Sequence, residues 1–235
     1  MSEKQIKLSA NSLNLSLECP HCFWLEKNKG IKRPPPYPYA LNSAVDDLLK
    51  QEFDTYRSKK LPHPIFKENH IKAHLFPNQK LLNQWRNNLA GIRYFDENLK
   101  ATLFGAMDDV LEFDPSTSSG QAMLAPMDYK STGSPTAKIY DRFQLQLDVY
   151  AFLLEKNGFK VKRKGYLVFY VVDKTRGFID RLPFRKEILE VETSPADVYD
   201  IFKDAVDILR KEMPPEHSED CLFGKYLGSV LKYNI

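Results

Sequence analysis

The chain has little cysteine, no long apolar run and no dominant sign of charge. Three cysteines in 235 residues are too few for a disulfide framework and read as free thiols or metal ligands. No stretch approaches the roughly 20 apolar residues that a membrane span needs. The opening MSEKQIKLSANS has no hydrophobic signal core, so the expected compartment is the cytoplasm. No internal repeat and no long low-complexity segment interrupts the chain. A formal net charge of +3 is too weak to imply a nucleic-acid partner. The positive charge is clustered, however, at Lys27, Lys29, Lys32 and Arg33 and again at Lys160, Lys162, Arg163 and Lys164. Such clusters are usually solvated faces; the alternative is a phosphate-contacting role.

The composition that is present, 43% hydrophobic and 28% charged, is that of an ordinary globular protein. The length allows one substantial core, with or without a helical annex. Residues 8–18 read as a helix capped by Ser9, and residues 20–30 as a second with Pro20 near its start and Gly30 past its end. RPPPYPY, residues 33–39, must be extended. Residues 41–57 form a helix with Leu41, Val45, Leu48, Leu49 and Phe53 on one face. Residues 59–78 read as irregular and 81–89 as a helix. Residues 101–113 and 121–130 then look like two strands joined by the turn DPSTSSG. A long helix is expected over 135–158, with Ile139, Phe143, Leu147, Tyr150, Ala151 and Leu154 as its apolar stripe. Strands at 164–173 and 177–184 and a helix at 195–213 complete the reading. The fold class is α/β, a small mixed sheet flanked by helices in a single domain over residues 1–235. Residues 1–100 would be its mainly helical part, 101–190 its sheet and core helix, and 191–235 its closing helix and tail.

In LAPMDYKSTG, residues 124–133, Asp128 and Lys130 are two apart and so share one face of a strand as it ends. A solvated surface pair is one explanation, but the apolar run before them reads as a central strand. The neighbouring strand brings a second acid, Asp108 in GAMDD, while adjacent Asp109 points to the opposite face. Two carboxylates that close repel each other unless a cation lies between them. Oxygen donors of this kind suit Mg²⁺ or Mn²⁺, and a lysine beside such an ion suits phosphoryl chemistry.

G-x-x-D, then D-x-K, then a helix with Q-x-x-x-Y resembles the PD-(D/E)xK nuclease superfamily, most closely its RecB-like and CRISPR-adaptation exonuclease branch. The residues are Gly105 and Asp108, Asp128 and Lys130, and Gln146 and Tyr150. LSANSLNLSLECPHCFWL also resembles the start of that branch. The resemblance implies a restriction-endonuclease-like core with a DNA substrate. It implies Asp108 and Asp128 as ligands of Mg²⁺ or Mn²⁺, Lys130 at the attacking water, and Gln146 pointing at the site. Tyr150 reads equally well as core packing. Members of the branch usually carry a histidine on the helix before the sheet; here Asp46 stands at that position, as a third ligand or as a solvated residue.

CPHC, Cys19 to Cys22, has the spacing of a redox motif. A thioredoxin-like site needs a strand before it, and here a helical pattern precedes it. C-x2-C is also half of a tetrahedral metal site. The related nucleases often close their fold with an iron–sulfur cluster held by an N-terminal cysteine and a C-terminal cysteine group. Here Cys221 is present, but Gly224 occupies the spacing of a fourth cysteine, and His217 lies four residues before Cys221. The set Cys19, Cys22, His217 and Cys221 would therefore hold zinc or an iron–sulfur cluster, or be decayed and simply buried.

The expected function is a metal-dependent DNA nuclease, an exonuclease of repair, recombination or defence, with a protein partner in such a complex. The rivals are a catalytically weak nuclease-like module that binds DNA or a partner, and a thiol–disulfide oxidoreductase with Cys19 exposed at a helix N-terminus.

Overall fold

The structure, a computed structural model, describes residues 5–34, 40–115, 120–178 and 180–233. The elements are β1 (Ile6–Ser9), α1 (Ala10–Glu18), α2 (Pro20–Trp24), α3 (Ala40–Ser58), α4 (Pro64–Glu68), β2 (His74–Leu75), α5 (Gln79–Arg86), β3 (Ile92–Asp96), β4 (Ala101–Gly105), β5 (Asp109–Phe113), β6 (Met123–Thr132), α6 (Asp141–Lys156), β7 (Lys164–Val172), β8 (Phe184–Glu192), α7 (Pro195–Leu209) and α8 (Leu222–Leu231). They fall into two compact units. One comprises Met1–Pro38, Phe95–Leu103 and Asp197–Ile235; the other comprises Tyr39–Tyr94 and Phe104–Ala196. Most of RPPPYPY and of the turn DPSTSSG lies outside the described residues.

The second unit is built on a five-stranded sheet in the order β2-β5-β6-β7-β8. Its pairs are antiparallel except β6 with β7. A parallel pair needs a crossover, and α6 supplies it. Because strand residues alternate, β6 presents Ala125, Met127 and Tyr129 to one face, where they pack with Val45, Leu49 and Phe53 of α3. On the other face Leu147 of α6 packs with Leu167, Phe169 and Val171 of β7. The sheet is thus covered on both sides, which is why β6 and β7 read as nearly continuous apolar runs. The first unit holds α1, α2 and α8. Ser9 caps α1 by accepting from Ser12 N, and a π-helical turn over Leu25–Lys29 follows α2 and closes at Gly30, whose φ is +71°. A second sheet has the order β1-β4-β3.

Several sequence expectations are corrected. The single strand over 101–113 is two strands, β4 and β5, in different sheets. Its middle leaves the ladder because other groups satisfy the backbone there: Met107 N donates to Trp85 O at 3.0 Å, and Ala106 O accepts from the Tyr150 hydroxyl at 2.6 Å. The helix expected from residue 135 begins at Asp141, leaving Ile139 39% exposed before it. On α3 the buried face is Val45, Leu49, Phe53 and Arg57, while Leu41 and Leu48 are exposed. The strand expected at 177–184 is displaced to 184–192. Asp173 caps a short turn over Lys174–Arg176, and Gly177 takes φ +65°. As an edge strand, β8 carries Arg185, Lys186, Glu187, Glu190 and Glu192, which mask its alternation. The stretch read as irregular holds α4 and β2, and β3 and α8 were not anticipated.

Candidate active site

The ten residues of β6 set the site. Asp128 and Lys130 point to the face covered by α6, and their side chains form an ion pair. Asp128 is buried, and its Oδ2 accepts no well-directed hydrogen bond despite that ion pair. Burial pushes the Asp128 carboxyl up to about 8, with Lys130 opposing the rise and Asp108 adding to it. Asp108 stands immediately before β5. Because Asp109 pairs with Met127 in the antiparallel register, the next position inward faces Asp128. Tyr129 N donates to Asp108 Oδ2 at 3.1 Å.

Helix α3 brings Asp46 to the same place. Lys50, one turn on, puts its ammonium 2.6 Å from Asp46 Oδ2 and 2.9 Å from Asp108 Oδ1. One cation therefore touches both carboxylates. The start of α3 is tied to the end of β6, since Asn42 Nδ2 donates to Ser131 O and Oγ, both at 2.9 Å. Burial and the Asp108 charge raise the Asp46 carboxyl above its ordinary value, against the pull of Lys50.

Helix α6 completes the arrangement. Lys130 Nζ donates to Gln146 Oε1 at 3.2 Å, Gln146 Nε2 to Tyr150 Oη at 2.8 Å, and Tyr150 Oη to Ala106 O at 2.6 Å. This relay runs from the lysine to the backbone two residues before Asp108. Gly105 makes room for it: a Cβ there would lie 2.8 Å from Tyr150 Cε1 and 3.1 Å from Leu153 Cδ1. Burial raises the Tyr150 hydroxyl well above its ordinary value, so it remains a protonated donor.

A second layer was missed from sequence. Asp109 is fully buried on the opposite face from Asp108 and forms an ion pair with Arg57. It also pairs with Arg86 at 3.1 Å and accepts from the Tyr129 hydroxyl at 2.6 Å. Asp54 pairs with Arg57 and, at 2.7 Å, with Arg86. Arg86 Nε also donates to Asp108 O at 2.6 Å. Asp108 is thereby held at its carbonyl by Arg86 and at its carboxylate by Tyr129 N and Lys50. Lys50 carried a usable signal, since i,i+4 spacing places it beside Asp46. Arg57 continues the buried stripe of α3, where a charge disguises it.

The other expected residues lie apart from these. Lys160, Lys162, Arg163 and Lys164 flank the start of β7. Leu124 N and O bond there to Lys160 O and Lys162 N, four residues or ~13 Å along β6 from Asp128. Two of the four are paired, Arg163 with Glu155 and Lys164 with Glu190. In the other unit, Arg33 pairs with Glu18 and Lys27 with Glu26. Cys19, Cys22, His217 and Cys221 do converge, their donor atoms within 4.8 Å of one another. Cys19 occupies the N-cap position of α2 but is 0% exposed and follows a helix, α1. The exposed nucleophile that an oxidoreductase needs is therefore not there.

The donor set suits a hard divalent ion. Three carboxylates come from α3, from the residue before β5 and from β6; two of them share the Lys50 ammonium, and the third is buried and paired with Lys130. Among the described residues, no helix is long and apolar enough to cross a membrane.

The model of the PD-(D/E)XK nuclease superfamily matches residues 7–226 of the chain. No curated protein matches it. Among solved structures, one titled "Crystal structure of SSO0001" is 12% identical, over 92% of this chain and 82% of that one, with a TM-score of 0.44.

Proposed function

The chain belongs to the PD-(D/E)XK nuclease superfamily, and we propose that it is a Mg²⁺- or Mn²⁺-dependent deoxyribonuclease, acting as an exonuclease in DNA repair, recombination or defence. The observation that carries this reading is the convergence of Asp46, Asp108 and Asp128 with Lys50 and Lys130 beside a glutamine relay. The family match runs through both units, which supports reading residues 1–235 as one nuclease-like domain. Asp46, Asp108 and Asp128 would hold the ion. When bound, it supplies Lewis acidity toward a phosphate oxygen and acidifies water.

The chain's own residues do the rest. Lys130 puts a positive charge beside Asp128, where it can orient the attacking water and offset charge on the phosphorus oxygens. Gln146 accepts from the Lys130 ammonium and fixes its direction. Tyr150 holds Gln146 and anchors the segment leading to Asp108 through Ala106 O. Asp46 is close enough to share one cation with Asp108; that proximity favours the enzyme over the inactive binding module. Backbone contacts by Lys160, Lys162, Arg163 and Lys164 would be independent of sequence, with Lys160 and Lys162 the better placed because no glutamate pairs them among the described ion pairs.

The test is hydrolysis of single- and double-stranded DNA with Mg²⁺ or Mn²⁺ against an EDTA control. Asp128→Ala and Lys130→Ala are each expected to lower turnover by at least ~10²-fold. Cleavage that survives both substitutions refutes the assignment. DNA binding without cleavage by the wild type moves the reading to the binding module.

A further inference from the structure

The Cys/His cluster lies wholly within the first unit. Cys19 occupies the N-cap position of α2 without a side-chain capping bond, Cys22 sits inside α2, and Cys221 caps α8, accepting from Gly224 N. His217 Nδ1 is 3.5 Å from Cys19 Sγ and 3.8 Å from Cys22 Sγ, and Cys22 Sγ is 3.6 Å from Cys221 Sγ. These separations identify the size of the guest. A tetrahedral zinc with bonds of about 2.3 Å to sulfur and 2.0–2.1 Å to nitrogen places its donors about 3.8 Å apart for two sulfurs and about 3.6 Å for sulfur and nitrogen. An iron–sulfur cluster puts several irons and sulfides between its ligands and needs them farther apart.

The fourth corner is built for histidine. A Cβ on Gly224 would lie 2.6 Å from His217 Cγ and 2.9 Å from its Nδ1. A cysteine at 224 and the imidazole of His217 thus exclude one another, and the glycine that breaks the four-cysteine pattern is what admits the ring. His217 is stacked on His21, ring centroids 3.7 Å apart, and His21 Nδ1 lies 2.7 Å from Pro215 O. The outer donors suit thiolates: Arg33 Nη2 reaches Cys221 Sγ at 3.7 Å and Gly224 N reaches it at 3.4 Å. Three thiolates and one divalent ion carry a net charge of −1, which Arg33 offsets.

We propose that Cys19, Cys22, His217 and Cys221 bind a single tetrahedral zinc ion, in place of the iron–sulfur cluster that the family resemblance implies. Binding releases the thiol protons to water and involves no redox step. The ion would join α2 to the start of α8 across a sequence separation of 199 from Cys22 to Cys221, a structural role separate from hydrolysis.

The test is metal content and visible spectroscopy of the full chain purified under reducing conditions and exchanged into excess Mg²⁺. One zinc per chain is expected, with neither iron nor acid-labile sulfide, and Co²⁺ replacing it should show the intense visible bands of a tetrahedral thiolate site. Stripping with a chelator should lower Tm by more than about 5 °C, restored by zinc. Cys221→Ser and His217→Ala should lose the ion. His217→Cys, which keeps a fourth ligand, and Asp128→Ala, which alters the other unit, should retain it. Iron with labile sulfide would overturn the proposal. So would a Cys22–Cys221 disulfide, or a metal-free protein that takes up no zinc and keeps its Tm in chelator. The readout is independent of whether the chain cleaves DNA.

Discussion

Asp109→Asn tests the support beneath the candidate site. The substitution keeps size and shape and removes one charge. Asp109 is 0% exposed and faces two guanidiniums whose side chains are 3% and 11% exposed, Arg57 and Arg86. The remaining acid, Asp54, then has to balance both, and an amide placed among two arginines and the Tyr129 hydroxyl satisfies them less well. Removing one partner of a buried charge pair costs about 3–5 kcal/mol, because the other is left uncompensated. In a chain of this size each kcal/mol lowers Tm by roughly 2–4 °C, so a fall of about 6–20 °C is expected. The assay is thermal and denaturant unfolding followed by circular dichroism, with exposed Asp47→Asn as a control expected to stay within about 0.5 kcal/mol of wild type. Mn²⁺ affinity should fall as well, because Arg86 spans Asp109 and the Asp108 carbonyl. An Asp109→Asn protein within about 1 kcal/mol of wild type would refute the network.

Further expectations concern neighbouring parts. Lys50→Met removes an ammonium that occupies the Asp46–Asp108 pair; Mn²⁺ should bind at least ~5-fold more tightly by calorimetry, and the metal-free protein should melt lower. Unchanged affinity would show that Lys50 does not compete with the ion. Tyr150→Phe breaks the relay between Gln146 and Ala106 O and should cost about 1–3 kcal/mol of stability. It should lower kcat with little change in KM; a change in KM alone would contradict a positioning role. Gly105→Ala forces a methyl group against the Tyr150 ring and should destabilise by about 1–3 kcal/mol, measured by urea unfolding. Hydrogen bonds with His63 and Lys186 outweigh burial and hold the Glu52 carboxyl at about 2. A depressed carboxylate stabilises above its unfolded pKa and ceases to as pH falls through the folded one. The stability gap between wild type and Glu52→Gln should therefore be widest at neutral pH and close between about 4.5 and 2. A gap independent of pH would remove Glu52 from that role.

What the sequence determined by itself was local. The β6 alternation placed Asp128 and Lys130 on one face, and the i,i+4 spacing of Gln146 and Tyr150 placed them on one side of α6, because strand and helix periods follow from the backbone alone. The opposite facing of Asp108 and Asp109 was legible for the same reason, as was the Ser9 cap of α1. Tertiary structure decided whatever depends on partners distant in sequence. The break between β4 and β5 could not be read from an apolar run, since it follows from Tyr150 and Trp85 capturing the backbone of Ala106 and Met107. The charged edge strand β8 is specified by its pairing with β7 rather than by its own alternation. Leu41 and Leu48 looked like core and are exposed, while Arg57, which was not among the expected face residues, is buried. Burial of α3 is set by where the sheet lies, and Asp109, 52 residues away, makes burial of that arginine tolerable. The cysteine–histidine set was visible as spacing, but its size was not. The donor separations and the packing of His217 against Gly224, which favour one ion over a cluster, exist only in the folded chain.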